Sequence, residues 1–375
     1  MLHVDKVDSL LTEKLKITAT NLVPFRYYTT TKVVSIHIVS FDLMNLEKSI
    51  YRKTNRYVEL IMVLYHYYVD PMGLFISLQA SQELRFGGSL RNDSAKPSLI
   101  SDSEKVLDEI NLKKHWFHPL VTKIEVSQDG LYGTIFKPPG DGPFPCIIDI
   151  PGANGKISNG VAAVYSLEGF LVYTLAFFDY KDLPKRFCSM NGPESFYKPT
   201  ALLKENGKLM ECEYFDHKLS INFNGVIKQS PSFTAAFEKL KPETSIKWNH
   251  ISKNISFRII STLDDWILDG VVNGSNVRRQ LINSGHHVEI DFVPGGHLIY
   301  VPYYPHSSHT YNKFDRLSLG FGGECTLHGK SQETVWENNF KFFKKVLGTP
   351  PSLPDYERDT VVVVPDSELK RDSKL

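Results

Sequence analysis

The pattern of apolar and polar positions changes character about a third of the way along the chain. Before residue 128 the signals are short and strand-like. Residues 14–20 alternate apolar and polar side chains, as a strand with one buried face does; 33–39 do the same, and 121–126 form a third candidate. Residues 91–103, rich in Asn, Asp, Ser and Pro, read as a loop.

From Gly130 onward the pattern is that of strands alternating with helices. Residues 131–136 form a strand and 138–143, with three prolines and two glycines, a turn. Residues 146–150 are a near-continuous apolar run, which predicts a strand buried on both faces. A helix over 161–169, stopped by Gly169, and a second buried strand over 171–178 complete a βαβ unit, hence a parallel sheet with helices on its faces. The same pattern returns with a strand at 256–261, a helix running to about Gly285 and a strand at 287–293. An amphipathic helix at 332–347 closes the domain; Val335, Trp336, Phe340, Phe343 and Leu347 recur at helical spacing and are assigned to core packing. Between these halves, residues 181–253 show no long apolar strand.

In a parallel α/β sheet, reactive groups collect at the carboxyl ends of the strands. Asp265 follows one predicted strand and His297 the next, in the chain order of the last two members of an α/β-hydrolase triad. There His297 would take a nucleophile's proton, and Asp265 would fix its tautomer and stabilise the imidazolium. A helix-capping Asp and a solvated loop His are the alternatives on position alone.

Further stretches carry a family resemblance. Asp70-Pro71-Met72-Gly73-Leu74 comes first, then Pro138-Pro139-Gly140 with Gly142-Pro143-Phe144-Pro145, and Asp182-Leu183-Pro184. Asp264-Asp265, Gly296-His297, Pro302-Tyr303-Tyr304-Pro305, Gly322-Gly323-Glu324 and Trp336 follow in order. In this order and spacing the chain resembles the acyl-CoA thioesterase / bile acid-CoA:amino acid N-acyltransferase family over most of its length. The resemblance implies an immunoglobulin-like β-sandwich followed by an α/β-hydrolase domain. The corresponding division is residues 1–128, 129–349 and a flexible tail from 350 to 375. It also implies attack on an acyl-CoA thioester by Ser in the thioesterases or Cys in the amino-acid-conjugating members. His297 matches the family's catalytic His and Asp265 its Asp, with Asp264 ranked second. No metal or bound cofactor is implied; coenzyme A enters as part of the substrate.

One element of the family pattern is missing. The nucleophile should sit on a tight strand-to-helix elbow, G-x-S-x-G or G-x-C-x-G. No Ser or Cys here has Gly at both −2 and +2: Ser89, Cys325 and Ser331 have only the preceding glycine, Ser158 and Ser318 only the following one. After Asp182-Leu183-Pro184 the family continues through a helix, the nucleophile strand, the elbow and another helix. In this chain Phe187 leads straight into Cys188-Ser189-Met190-Asn191-Gly192, which resembles the strand after all of those. Elements of average length put the gap at roughly 45–50 residues. Three readings follow: an incomplete copy of an ordinary member through a skipped exon, a pseudoenzyme, or replacement of the nucleophile by another residue, Cys188 being nearest by position. The loop Gly152 to Gly155 keeps one oxyanion-donor region while the donor after the nucleophile is lost. Lys181, Lys185 and Arg186 are placed to meet coenzyme A phosphates or to lie as a solvated loop. Residues 32–69 fit the family poorly.

Charge and cysteine usage narrow the partners. A formal net charge of +1 gives no reason to expect nucleic acid. The four cysteines lie far apart without a CxxC pair, as free thiols in a reducing compartment do. The amino terminus does not read as a secretory signal, and the most apolar stretch, 57–69, is broken by Glu59 and His66, so no membrane span is expected. Ser373-Lys374-Leu375 at the end of the sequence is a peroxisomal address, read by the import receptor. The expected location is the peroxisome, with the cytoplasm as the alternative, and the expected substrate is an acyl-CoA.

Overall fold

The computed structural model describes residues 2–15, 17–19, 105–150, 159–176, 216–239, 246–304, 306–312 and 317–358. It also describes the short segments 28–29, 94–95, 98–101, 197–198, 204–205, 208–209 and 213–214, and residues 241 and 244. The expected strand at 33–39, the oxyanion loop Gly152 to Gly155, Asp182-Leu183-Pro184, Lys181, Lys185, Arg186, Cys188 and the tail tripeptide Ser373-Lys374-Leu375 all lie outside these residues. The fold is mixed α/β, and the chain divides into two units.

One unit comprises Met1–Gln79, Leu90–His115 and Glu357–Leu375. Its described elements are short strands. Leu2–Val4 pairs antiparallel with Ile17–Ala19, so the expected strand at 14–20 begins at Ile17. Asp8–Leu10 pairs parallel with Leu112–His115. The stretch 91–103, expected to be loop, instead contributes Ser94–Ala95, paired with Leu112–His115, and Ser98–Ser101, paired with Val106–Glu109. Pairing with neighbouring strands, which for Ser98–Ser101 include the distant Tyr28–Thr29, decides the conformation here against a composition that favours turns.

The other unit comprises Ala80–Ser89 and Trp116–Tyr356. Strands β1 (Thr122–Gln128) and β2 (Leu131–Lys137) form an antiparallel hairpin whose two-residue turn, Asp129-Gly130, holds both residues at positive φ (53° and 77°). Such turns match the twist of the flanking strands, which is why Asp-Gly occupies them. Strand β3 (Cys146–Asp149), helix α1 (Asn159–Leu167) and strand β4 (Leu171–Ala176) form the expected βαβ unit; β3 and β4 are parallel, with Cys146 opposite Leu171. The sheet order is β3-β4-β2-β1. The strand ending at Gln128 therefore shares a sheet with β2, although sequence reading sets it before the boundary at 128.

Strand β3 departs from expectation in one respect that matters. Among the described residues it is the end strand of its sheet, and Ile148 and Ile150 are 60% and 62% exposed. A strand buried on both faces is expected; among the described residues β3 instead ends its sheet, and these side chains lie in solvent.

The hairpin β5 (Ile221–Phe223) and β6 (Val226–Lys228) turns through Asn224-Gly225, and β6 lies parallel to β10 (Leu317–Gly320), which pairs with β9 (His309–Asn312). Helix α2 (Ser230–Phe237) has Pro231 in its first turn, where no amide hydrogen is needed. Its Phe233, Ala236 and Phe237 pack against Ile267 and Leu268. Strands β7 (Ser256–Thr262) and β8 (His287–Val293) are parallel, in register from Ser256 opposite His287 to Thr262 opposite Val293. Helix α3 (Gly270–Asn283) connects them, capped by Asp269, which accepts the Val272 amide at 3.0 Å.

Helix α4 (Cys325–Leu347) closes the unit and begins seven residues before the apolar periodicity does, because Glu324 caps it by accepting the Thr326 and Leu327 amides. Its stripe is core at Val335 and Trp336 and half-buried at Phe340 and Phe343, as expected, but Leu347 at its end is exposed, against expectation. Trp336 and Phe343 lie 4.7 and 5.3 Å from the Tyr165 ring, and the Trp336 indole donates to the Tyr300 carbonyl at 2.6 Å.

Candidate active site

The site forms because β7 and β8 are adjacent, parallel and in register, so the segments leaving their carboxyl ends emerge side by side. The ladder continues past the strands: the Leu263 amide donates to the Val293 carbonyl and the Asp264 amide to the Gly295 carbonyl, both at 3.0 Å. Asp264-Asp265 on one side and Gly295-Gly296-His297 on the other are thus fixed to each other by backbone before any side chain is considered.

The structure brings Asp265, not Asp264, against His297. His297 Nδ1 donates to Asp265 Oδ2 at 2.8 Å. The second carboxylate oxygen, Oδ1, accepts the amides of Ile267 and Leu268 at 2.7 and 3.0 Å. Both residues are buried in the cluster built on α2, so the carboxylate is anchored by the core beneath it. The His297 side chain is 18% exposed and that of Asp265 8%, which leaves the imidazole reachable and the carboxylate shielded. With the proton on Nδ1, the neutral ring presents a bare Nε2, the nitrogen that can act as a base.

Asp264 does another job. Its Oδ1 accepts from the Trp266 indole at 2.9 Å and its Oδ2 from the Gly323 amide at 2.8 Å. It therefore ties the Gly322-Gly323 turn, where φ is 71° and 85°, to the end of β7. That turn in turn supports the histidine: the His297 amide donates to the Phe321 carbonyl at 2.8 Å, and the Phe321 ring stacks on the imidazole at 6.0 Å. A side chain at Gly296 would run into the carbonyl oxygens of Phe321 and Gly322, so this position requires close backbone approach.

Two residues that sequence reasoning did not single out touch the same turn. His328, on the first turns of α4, accepts the Gly296 amide through Nδ1 at 3.1 Å. His306 Nε2 donates to the Gly323 carbonyl at 3.0 Å. Burial pushes both imidazoles down, His328 to about 4. Their only sequence signal was proximity to the Pro302-Tyr303-Tyr304-Pro305 and Gly322-Gly323-Glu324 stretches.

Among the described residues no serine or cysteine is hydrogen-bonded to His297. Burial pushes the thiol pKa of both described cysteines, Cys146 and Cys325, upward, Cys325 to about 11, away from the thiolate form a nucleophile needs. No group of three or more His, Cys, Asp or Glu among the described residues is arranged to hold a metal ion, and no described helix is long and apolar enough to cross a membrane.

Comparison with known proteins gives this geometry its context. The family model for the BAAT / acyl-CoA thioester hydrolase C-terminal region matches residues 157–349, and that for the acyl-CoA thioester hydrolase/BAAT N-terminal region matches 65–128. Among curated relatives, mouse bile acid-CoA:amino acid N-acyltransferase is 26% identical over 350 residues, taking in 76% of this chain and 82% of the relative. Mouse peroxisomal succinyl-coenzyme A thioesterase is 23% identical over 345 residues (76% and 81%), and mouse mitochondrial acyl-coenzyme A thioesterase 2 is 25% identical over 338 (75% and 74%). A 350-residue match that draws on 76% of a 375-residue chain must pass over stretches where the relative has residues and this chain has none. With the carboxyl-terminal family model alone spanning more than half of its residues, this chain belongs to the BAAT / acyl-CoA thioester hydrolase family.

Proposed function

We propose that this chain is a form of a peroxisomal acyl-CoA thioester hydrolase in which the acid–base half of the triad is assembled and the nucleophile is missing. The observation that carries the proposal is the 2.8 Å pair of His297 and Asp265 at the ends of adjacent parallel strands. In an intact enzyme His297 Nε2 would take the nucleophile's proton as it attacks the thioester carbonyl and return it to the leaving thiolate of coenzyme A. Asp265 would hold the tautomer and offset the imidazolium charge. Loss of a triad nucleophile can cost ~10⁶ in kcat, so this chain alone would not sustain turnover.

The sheet order β3-β4-β2-β1 and the parallel β7–β8 pair support an α/β-hydrolase domain over 129–349, and the short strands before it the reading of 1–128 as an immunoglobulin-like sandwich. The peroxisomal relative and Ser373-Lys374-Leu375 support peroxisomal import through its receptor. Fusing the last residues to a fluorescent protein tests this: punctate import that Leu375→Asp abolishes is expected, and diffuse fluorescence of the unaltered fusion would count against it.

Thiol release from a series of acyl-CoA esters tests the activity. The chain as it stands should release no coenzyme A above background. The same chain with a relative's nucleophile segment inserted between Phe187 and Cys188 should hydrolyse them, and His297→Ala or Asp265→Asn in that background should abolish turnover. Hydrolysis by the unaltered chain, lost on Cys188→Ala, would instead identify Cys188 as the nucleophile.

A second reading is supported by relatives named as amino acid N-acyltransferases, 26% and 24% identical. In that case the inserted segment would carry Cys, and acyl transfer to glycine or taurine would outrun hydrolysis. A third, a non-catalytic acyl-CoA binder, predicts a rise in melting temperature with acyl-CoA and no coenzyme A release.

A further inference from the structure

The turn that carries His297 is gripped from behind by one face of α4. His328 and Ser331, three residues apart, lie on that buried face. His328 Nδ1 accepts the amide of Gly296, the residue before His297, and the same ring is hydrogen-bonded to the backbone of Leu298, the residue after it. The Ser331 hydroxyl donates to the carbonyl of Pro294. His297 is therefore bracketed: the chain on both sides of it is tied to a single imidazole.

Only one protonation state of His328 fits this arrangement. To accept the Gly296 amide, Nδ1 must keep its lone pair, which puts the proton on Nε2 and leaves the ring neutral. An imidazolium would turn Nδ1 into a donor aimed at another donor 3.1 Å away, and the Gly296 amide would lose its acceptor in a buried place.

We propose that neutral His328 is the positioning residue of the catalytic-histidine turn, and that its protonation releases that turn and separates His297 from Asp265. The proposal rests on the reading of His297 and Asp265 as an acid–base pair. The surroundings of His328 favour the neutral form. The ring of His306 lies 4.1 Å away, tilted by 32°, so a charge on one opposes a charge on the other. His306 faces Glu324 at the start of α4 and Asp264 at the end of β7, and donates to the Gly323 carbonyl. These contacts give His306 the better claim to any proton the pair takes up. Burial, followed by the charge of His306, sets the His328 pKa at about 4, below the usual histidine range.

The test is nuclear magnetic resonance on the folded chain labelled with ¹⁵N-histidine, so it needs no turnover. From pH 8 down to about 5, His328 should show the Nε2–H tautomer, and His297 should show a low-field Nδ1 proton from its bond to Asp265. That low-field signal should disappear as His328 protonates near pH 4. In His328→Asn the amide oxygen can accept the Gly296 amide without titrating, so the signal should survive to lower pH. In His328→Leu it should be lost at all pH values while far-UV circular dichroism stays unchanged. A His328 that titrates as an ordinary histidine, or carries its proton on Nδ1, would overturn the proposal, as would an unchanged His297 signal in a folded His328→Leu. Absence of the low-field proton at every pH would count against the His297–Asp265 pair, with the tautomer of His328 still deciding this proposal.

Discussion

Two adjacent carboxylates, Asp264 and Asp265, show how little separates a catalytic candidate from a structural one. Both follow β7, yet one meets an imidazole and the other a backbone amide and an indole. The exposure of those contacts sets what removal should cost. Asp264 is exposed, so water can replace its carboxylate at the Gly323 amide, and Asp264→Ala should lose no more than about 1 kcal/mol. Asp265 satisfies the amides of Ile267 and Leu268 against the buried cluster, and Asp265→Ala should cost about 1–3 kcal/mol. Urea midpoints of the two variants check the order; a larger loss for Asp264 would reverse the assignment. A third carboxylate, Asp149 at the end of β3, has an oxygen without a hydrogen-bond partner among the described residues, and burial raises its pKa to about 6. Its folded pKa exceeds the unfolded value near 3.9, so the folded state holds the extra proton between about pH 4 and 6. Stability should therefore fall as pH rises through that window and stay lower above it. Asp149→Asn should flatten the fall and gain on the order of 1–2 kcal/mol at pH 7, measured by denaturation at pH 4.5 and 7.

At the scale of elements, the sequence was most legible where one signal was enough. Runs 146–150 and 171–178 and the stop at Gly169 were read correctly as a βαβ unit, because length, apolar content and glycine all agreed. The positions of Asp265 and His297 were legible for the same reason: each simply follows a strong strand. Legibility failed where an element depends on a distant partner. Ser98–Ser101 reads as loop by itself and is a strand because it lies between the next strand, Val106–Glu109, and the distant Tyr28–Thr29. The Asn224-Gly225 hairpin carries a local turn signal, but its three-residue strands are too short to show alternation. The start of α4 is not legible from periodicity because its first turns carry caps and histidine in place of an apolar stripe, and that is where His328 and Ser331 lie. The stripe beyond it gives the prediction proper to this scale. Trp336 is buried against Tyr165 and tied to the Tyr300 carbonyl, so Trp336→Ala should cost about 3–5 kcal/mol, read as a lower urea midpoint. Leu347, at the exposed end of the same stripe, should lose far less on the same substitution.

At the scale of the whole molecule, the question is what a family fold does where its relatives have residues and this chain has none. The cost should appear at the strand left at the end of its sheet. Among the described residues nothing pairs with the outer edge of β3, and Ile148 and Ile150 are 60% and 62% exposed. An apolar strand with open amides and carbonyls is a template for pairing with another chain. The relatives' extra residues supply what would cover it, if they include the strand expected between Phe187 and Cys188. Three outcomes should then occur together. The chain as it stands should self-associate with rising concentration, seen by light scattering. Ile148→Lys, which places a charge on a side chain already in solvent, should suppress association without lowering the melting temperature. Insertion of a relative's segment should suppress it too, and should also slow hydrogen exchange at the β3 amides, which the lysine cannot do. Slow exchange at those amides in the unaltered, monomeric chain would mean that β3 is already paired, and that the fold has closed over the missing strand by itself.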